Sequence, residues 1–243
     1  MYTTQPLISV VTVVYNDITN IEKTIQTVLN QTYPNIEYIV IDGKSTDGTW
    51  EVISKYKEKL AYAISEPDKG IYDAMNKAIK VASGEWIIFM NCGDGFYEND
   101  AIEKAFRNYE DNGESLVYGD FYLVNHPEKP DHLVKAMAQT SNQIEYAPSF
   151  HQAIFARTKE MKMHPFETQY RIIADFAFFY DLYQRNHKWY YTDSVICYYD
   201  YTGLSATSRI PIMHENARFF TSRHQFKKAL KFWVVYFKRR ITG

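Results

Sequence analysis

The sequence predicts an α/β fold, and two features of its first hundred residues carry that prediction. Short runs rich in β-branched residues alternate with stretches whose apolar residues recur at helical spacing. The order strand, helix, strand, helix implies parallel strands joined by crossover helices. Ligands of such sheets sit at the carboxyl ends of the strands. Here those ends are Tyr15-Asn16, Asp42-Gly43-Lys44 and Asn91 to Asp94, so the polar loops gather on one edge.

Leu7 to Tyr15 (LISVVTVVY) is rich in β-branched residues and reads as a strand buried on both faces. Asn20 to Gln31 carries Ile21, Ile25, Val28 and Leu29 as a helical stripe. Ile36 to Ile41 is a second strand, followed by the polar turn DGKSTDG. Thr49 to Leu60 reads as helix and Tyr62 to Ser65 as a third strand. Gly70 to Ala82 is an amphipathic helix with Ser83-Gly84 placed as its C-cap. Trp86 to Met90 is another buried strand, ending in NCGDG. Beyond it the pattern loosens. Ala101 to Tyr109 reads as helix, Ser115 to Val124 as strand, and Asn125 to Phe150 as loop or short elements. Ile172 to Gln184 is helical and Trp189 to Tyr199 strand-rich. From Arg223 to Arg240 basic residues interleave with Phe226, Leu230, Phe232, Trp233, Val234, Val235 and Phe237. A basic amphipathic helix of that kind lies on an anionic membrane or packs on the protein itself, and the pattern fits both.

The 243 residues are enough for one large domain or one domain with an appendage. A net charge of −2 argues against a dedicated nucleic-acid binder. Cys92 and Cys197 lie far apart and show no metal-ligand spacing, so a disulfide framework is not expected and a reducing cytosol is the default. The N-terminal MYTTQPLISVV lacks the basic start and apolar stretch of a signal peptide. No apolar run approaches the roughly 20 residues that cross a bilayer. The expectation is a cytoplasmic protein whose membrane contact, at the inner face, is peripheral.

Four segments carry a family resemblance. P-L-I-S-V-V-T-V-V-Y-N, E-Y-I-V-I-D-G-K-S-T-D-G-T and G-E-W-I-I-F-M-N-C-G-D resemble the family 2 inverting glycosyltransferases in order and spacing. S-E-P-D-K-G-I-Y-D-A-M-N-K-A-I narrows the resemblance to a branch with colanic-acid and capsule-type transferases. The match covers about the first hundred residues well and scattered positions to about Ser205. It implies a GT-A type, Rossmann-like mixed sheet flanked by helices. Residues 1–100 would form the nucleotide-sugar-binding half and 101–220 the acceptor and catalytic half of one domain, with 221–243 as the basic amphipathic tail. It also implies transfer of a sugar from a nucleotide diphosphate, with UDP expected, to a hydroxyl of a glycan or lipid-linked acceptor in bacterial surface polysaccharide synthesis.

Site roles follow from the same resemblance. Tyr15 packs on the nucleoside base after Val13, Asn16 closes the turn, and Asp42 bonds to the base. Many relatives carry two consecutive Asp there, and this chain has Asp42-Gly43. Lys44 and Ser45 continue the donor loop, where Ser45, Thr46 and Asp47 act as turn or helix-cap residues or as ligand contacts. Asp68, Lys69 and Gly70 border the donor, and Lys69 either balances diphosphate charge or is a solvated turn lysine. Asp73 and Asn76 face the donor from one side of a helix, three residues apart. Asn91-Cys92-Gly93-Asp94 occupies the place of the family's Asp-x-Asp motif, so Mg²⁺ or Mn²⁺ would be held through Asp94, with Cys92 a small buried residue.

R-I-I-A-D-F-A-F-F-Y-D-L resembles the segment that holds the catalytic base, which maps to Asp175. Burial in that apolar run would raise its pKa and strengthen it as a base, with a helix N-terminal carboxylate as the alternative to that role. Asp181 should face elsewhere. His151-Gln152 resembles an acceptor-side His-Gln-x-x-Phe element, which makes His151 a second candidate base or a hydrogen-bonded structural histidine. Asp200-Tyr201-Thr202-Gly203-Leu204-Ser205 resembles a loop that closes over the diphosphate. Two rival readings remain. A sugar nucleotidyltransferase would carry a glycine- and arginine-rich loop that Tyr15-Asn16-Asp17 lacks. A non-catalytic nucleotide-sugar-binding protein is kept open by the reduced acidic motif.

Overall fold

The computed structural model describes residues 5–137, 148–202 and 209–242. The first β-branched run becomes β1 (Ile8–Val14), buried along its whole length. β2 (Ile36–Asp42), β3 (Tyr62–Ser65) and β4 (Trp86–Phe89) extend it as a parallel group in which β1 lies between β2 and β4. Val14 pairs with Asp42 across the first two strands, so the turns after β1 and β2 emerge side by side. The crossovers are α1 (Ile21–Leu29), α2 (Thr49–Ser54) and α3 (Ile71–Val81).

Two expectations in this half change. The helix read over 49–60 stops after Ser54, and a separate 3-10 turn covers Lys57–Lys59. The Tyr56 hydroxyl, which donates to Glu22 at 2.7 Å, ties the break to α1. Gly84 is no left-handed cap, since its φ is not positive. A Cβ on Gly84 would lie 2.5 Å from the Ser9 nitrogen, so the glycine is there to let two backbones approach.

The second half makes the sheet mixed. It adds β5 (Gly95–Phe96), β6 (Leu116–Val124), β7 (His132–Val134), β8 (Ile154–Arg157) and β9 (Trp189–Asp200), with helices α4 (Ala101–Phe106), α5 (Thr158–Met163), α6 (Ala174–Gln184), α7 (Arg209–Ser222) and α8 (Phe226–Thr242). Among the described residues the strand order is β3-β2-β1-β4-β8-β6-β9-β5, with β7 on the side of β6. β8 runs antiparallel to both β4 and β6, so it joins the two halves as a single reversed strand, and β6 runs in the same direction as β4.

Each face of the sheet is covered. Met75, Phe178 and Phe219 belong to one apolar cluster, under α3, α6 and α7. Ile25, Trp86 and Ile102 belong to the other, under α1 and α4. Burying one such side chain contributes about 1.5–3 kcal/mol, which is how a sheet with two apolar faces holds its helices. Of the stretch expected as loop or short elements, β7 is one such element, and residues 138–147 lie outside the described residues. No helix among the described residues is long and apolar enough to cross a membrane.

Candidate active site

The turns after β1 and β2 are laced together. Asn16 sits at a φ of 49°, its N–H donates to Ser45 Oγ at 2.7 Å, and its Oδ1 accepts from the Thr46 N–H at 2.8 Å. Tyr15 beside it is 65% exposed, an unusual state for so large a ring and one that suits a stacking platform. Val13 is buried, and its carbonyl accepts from the Cys92 N–H.

Asp42 departs from its expected role. It is fully buried and accepts from the Ser45 N–H at 3.0 Å, from Ser45 Oγ at 2.5 Å and from Ser65 Oγ at 2.5 Å. Its carboxylate braces the turn rather than facing a ligand. The acid nearer the open edge is Asp68. A Cβ on Gly43 would meet Asp68 Oδ2 at 2.6 Å and the Tyr15 ring at 3.1 Å. The glycine therefore makes room for Asp68 beside the tyrosine. Asp68 also accepts from the Gly70 N–H, and Gly70 itself takes a φ of 126° before α3.

Lys44 and Lys69 are exposed. Asp73 accepts from the Lys69 N–H at 3.0 Å and so closes its own turn. Asn76 is corrected outright. Its amide donates to the Phe166 carbonyl and accepts from the Phe166 N–H, both at 2.9 Å. It is a clamp between α3 and the chain before α6, and the shared helix face with Asp73 serves no common site.

The turn after β4 builds the other side. Gly93 has a φ of 99°, and its N–H donates to Thr24 Oγ1 on α1. Cys92 is partly buried and donates to Asp17 Oδ2 at 3.3 Å. Burial and the Asp17 charge push its thiol well up, so it stays protonated. Asp94 is buried, with Oδ2 accepting from Gln152 Nε2 at 2.7 Å and Oδ1 from the Asp200 N–H at 3.0 Å. Burial dominates and lifts its carboxyl to about 6, against the lowering effect of those two donors.

Across from this turn, His151 Nδ1 lies 2.6 Å from Asp175 Oδ2, and His151 Nε2 lies 2.9 Å from Asn91 Nδ2. The carboxylate only accepts, so Nδ1 carries the proton, and in the neutral ring Nε2 accepts from the asparagine amide. Asp175 Oδ1 accepts from the Tyr72 hydroxyl and from the Phe176 N–H, both at 2.8 Å. The expected upward shift of Asp175 is overturned. Burial does push the carboxyl up, but the hydrogen bond and charge of His151, with the Tyr72 and Phe176 donors, hold it below the ordinary carboxylate range. Asp181, as expected, faces away and pairs with Arg223 at 2.6 Å.

Asn91 to Asp94, His151, Gln152 and Asp175 line one cleft of about 750 Å³, which Asp17 and Asp200 also reach. Tyr15, Asp42 and Asp68 are not in its wall; they lie at the neighbouring strand ends. Sequence reasoning missed Asp17, Tyr72 and Glu215. Glu215 on α7 accepts from the N–H groups of Arg171, Ile172 and Ile173 and so fixes the turn that launches Asp175. Tyr72 stood inside the G-I-Y-D-A-M-N segment but was given no role there, and Asp17 and Glu215 stood in none of the quoted motifs. Gly203 to Ser205 of the expected closing loop lie outside the described residues, and Asp200 is present through its bond to Asp94.

The cleft suits a hard divalent cation. Asn91 Oδ1 and Gln152 Oε1 are buried acceptors without a hydrogen-bond partner, in the two residues that flank Asp94 in the cleft wall. Among the described residues no three His, Cys, Asp or Glu side chains gather as a metal cage. One carboxylate plus neutral oxygens, completed by substrate phosphates, is how Mg²⁺-type sites on nucleotides are commonly built.

The family described as "Glycosyl transferase family 2" matches residues 9–186. Among sequence relatives, the Escherichia coli UDP-Glc:alpha-D-GlcNAc-diphosphoundecaprenol beta-1,3-glucosyltransferase WfaP is 30% identical over 141 residues, covering 58% of this chain and 54% of that one. In further relatives the matched part ranges from 40% to 68% of their own length. Among solved structures, S. aureus TarS 1-349 in complex with UDP-GlcNAc has a TM-score of 0.70 at 20% identity, over 93% of this chain and 71% of that one. The mannosyltransferase PcManGT from Pyrobaculum calidifontis, in complex with GDP-Man and Mn²⁺, has a TM-score of 0.67 at 21% identity, over 92% and 65%. These likenesses establish the fold as the GT-A, Rossmann-like kind.

Proposed function

The chain belongs to glycosyl transferase family 2, and from that premise we propose that it transfers a sugar from a UDP-sugar to a hydroxyl of a glycan or lipid-linked acceptor, inverting the anomeric carbon, in bacterial surface polysaccharide synthesis. The observation that carries the reading is the cleft in which the Asp175–His151 pair faces the Asn91–Asp94 turn. The UDP donor draws support from the glucosyltransferase WfaP and from the TarS complex with UDP-GlcNAc. The same division of labour assigns residues 1–100 to the donor and 101–220 to the acceptor, with 221–243 as a basic appendage.

At the donor edge, Tyr15 stacks on the base and Asp68, freed by Gly43, contacts base or ribose. A divalent ion, when bound, would neutralise the departing diphosphate, and Asp94 with the amide oxygens of Asn91 and Gln152 is the set that would hold it. At the acceptor edge the chemistry belongs to Asp175. Its Oδ1 already accepts two hydrogen bonds, whereas Oδ2 accepts only that of His151 and keeps a lone pair. As the acceptor oxygen attacks the anomeric carbon, its proton passes to Oδ2, and the bond to the diphosphate breaks with its electron pair on the leaving group. His151 holds the carboxylate in place through its Nδ1–H.

Product analysis tests the reading. Purified protein given a UDP-sugar and a lipid-linked or glycan acceptor should release UDP and form a glycoside of inverted configuration. Release of pyrophosphate, or retention of configuration, would overturn it.

A further inference from the structure

α8 has two different faces. Ala229 is buried, Phe232 stacks on Phe220 of α7 with ring centroids 5.5 Å apart, and Trp233 packs on His214 at 5.5 Å. This face holds the helix on the protein, and Phe232 reaches the wall of the cleft. The other face is apolar yet open: Phe226 is 63%, Leu230 64%, Val234 57% and Phe237 53% exposed. At 3.6 residues per turn these four fall within an arc of roughly 80° and run about 16 Å along the helix. Lys227, Lys231 and Lys238, all exposed, occupy the adjoining arc, about 100–140° on the same projection. No acidic residue occurs anywhere in Phe226–Thr242, whereas the whole chain has a net charge of −2.

An apolar stripe edged by a lysine row, on a helix without carboxylates, is the pattern of a helix lying in a membrane interface. We propose that α8 seats the protein on an anionic lipid surface, with Phe226, Leu230, Val234 and Phe237 below the headgroups and the lysine row against lipid phosphates. On this proposal the helix does both things the sequence left open, packing on the protein through one face and lying on a membrane through the adjoining one. Phe232 projects away from the stripe, so the cleft stands off the bilayer by about one helix diameter, roughly 10–12 Å. A sugar carried on a lipid headgroup spans that gap. Only this last point rests on the transferase reading; the membrane seat stands apart from it.

The test is co-sedimentation of the full chain with vesicles of phosphatidylcholine alone or mixed with phosphatidylglycerol. Binding should require the anionic lipid, weaken with salt, and fall about fivefold for each of Lys227→Ala and Lys231→Ala. The double variant L230E/V234E should lose vesicle binding while keeping its thermal midpoint and its affinity for UDP-sugar in solution. Equal binding to both vesicle types, or none, would overturn the proposal and leave the transferase reading intact. So would a stripe covered by a second copy of the chain, seen as a wild-type dimer that L230E/V234E converts to monomer with vesicle binding unchanged.

Discussion

Asp175 accepts three hydrogen bonds in a setting that would otherwise strip a carboxylate of water, and the bond from His151 at 2.6 Å is the shortest of them. Because His151 lowers the Asp175 pKa, removing it should move the acid limb of activity upward. We expect His151→Ala to shift the acid-side midpoint of kcat/KM to higher pH and to slow turnover about 10–100-fold. An unshifted acid limb would mean that the two groups do not act as a pair. Asp94 shows the opposite sign. Its folded-state pKa of about 6 lies above the ordinary 3.8, so folding favours the protonated form, and its contribution to stability is lost as pH rises through that window. In metal-free protein Asp94→Asn should remove this fall and stabilise the fold at pH 7 by up to about 3 kcal/mol, read from denaturation midpoints at pH 4 and pH 7.

Glu215 is where one element positions another. It takes three successive N–H groups from Arg171 to Ile173, so α7 fixes the start of α6 and with it the direction of Asp175. Glu215→Ala leaves those donors without their carboxylate in a partly buried turn. It should cost roughly 3 kcal/mol and depress turnover more than donor affinity; a variant of full activity at native stability would remove the clamp from the account. Elements were legible where their own chemistry was local. β1, β2 and β3, and the ends of α3, follow from apolar runs and periodicity within single segments. β8 was not legible, because four residues show too little alternation and its pairing with β4 and β6 is set by the tertiary fold. The role of Gly84 was misread for a similar reason, since what it accommodates is the distant strand residue Ser9.

At the scale of the molecule, a parallel half ends in turns at one edge of the sheet; antiparallel β8 starts at that edge beside His151 and Gln152, and β9, which runs parallel to β6, ends there at Asp200. The motif residues Asn91, Asp94, His151 and Asp175 were readable in the sequence as a set. The burial of Asp42 beneath two serines and the diversion of Asn76 to Phe166 were not, because both depend on partners that no spacing rule connects. The central claim is that this cleft binds an activated sugar and that Asp175 takes the acceptor proton within it. Calorimetric titration of UDP-sugar with Mn²⁺ into wild type and Asp175→Asn, run beside turnover assays of both, tests it most directly. Turnover should fall by roughly 10²–10⁴-fold while donor affinity stays within about twofold. Full turnover in the variant, or a loss of donor binding equal to the loss of activity, would contradict it.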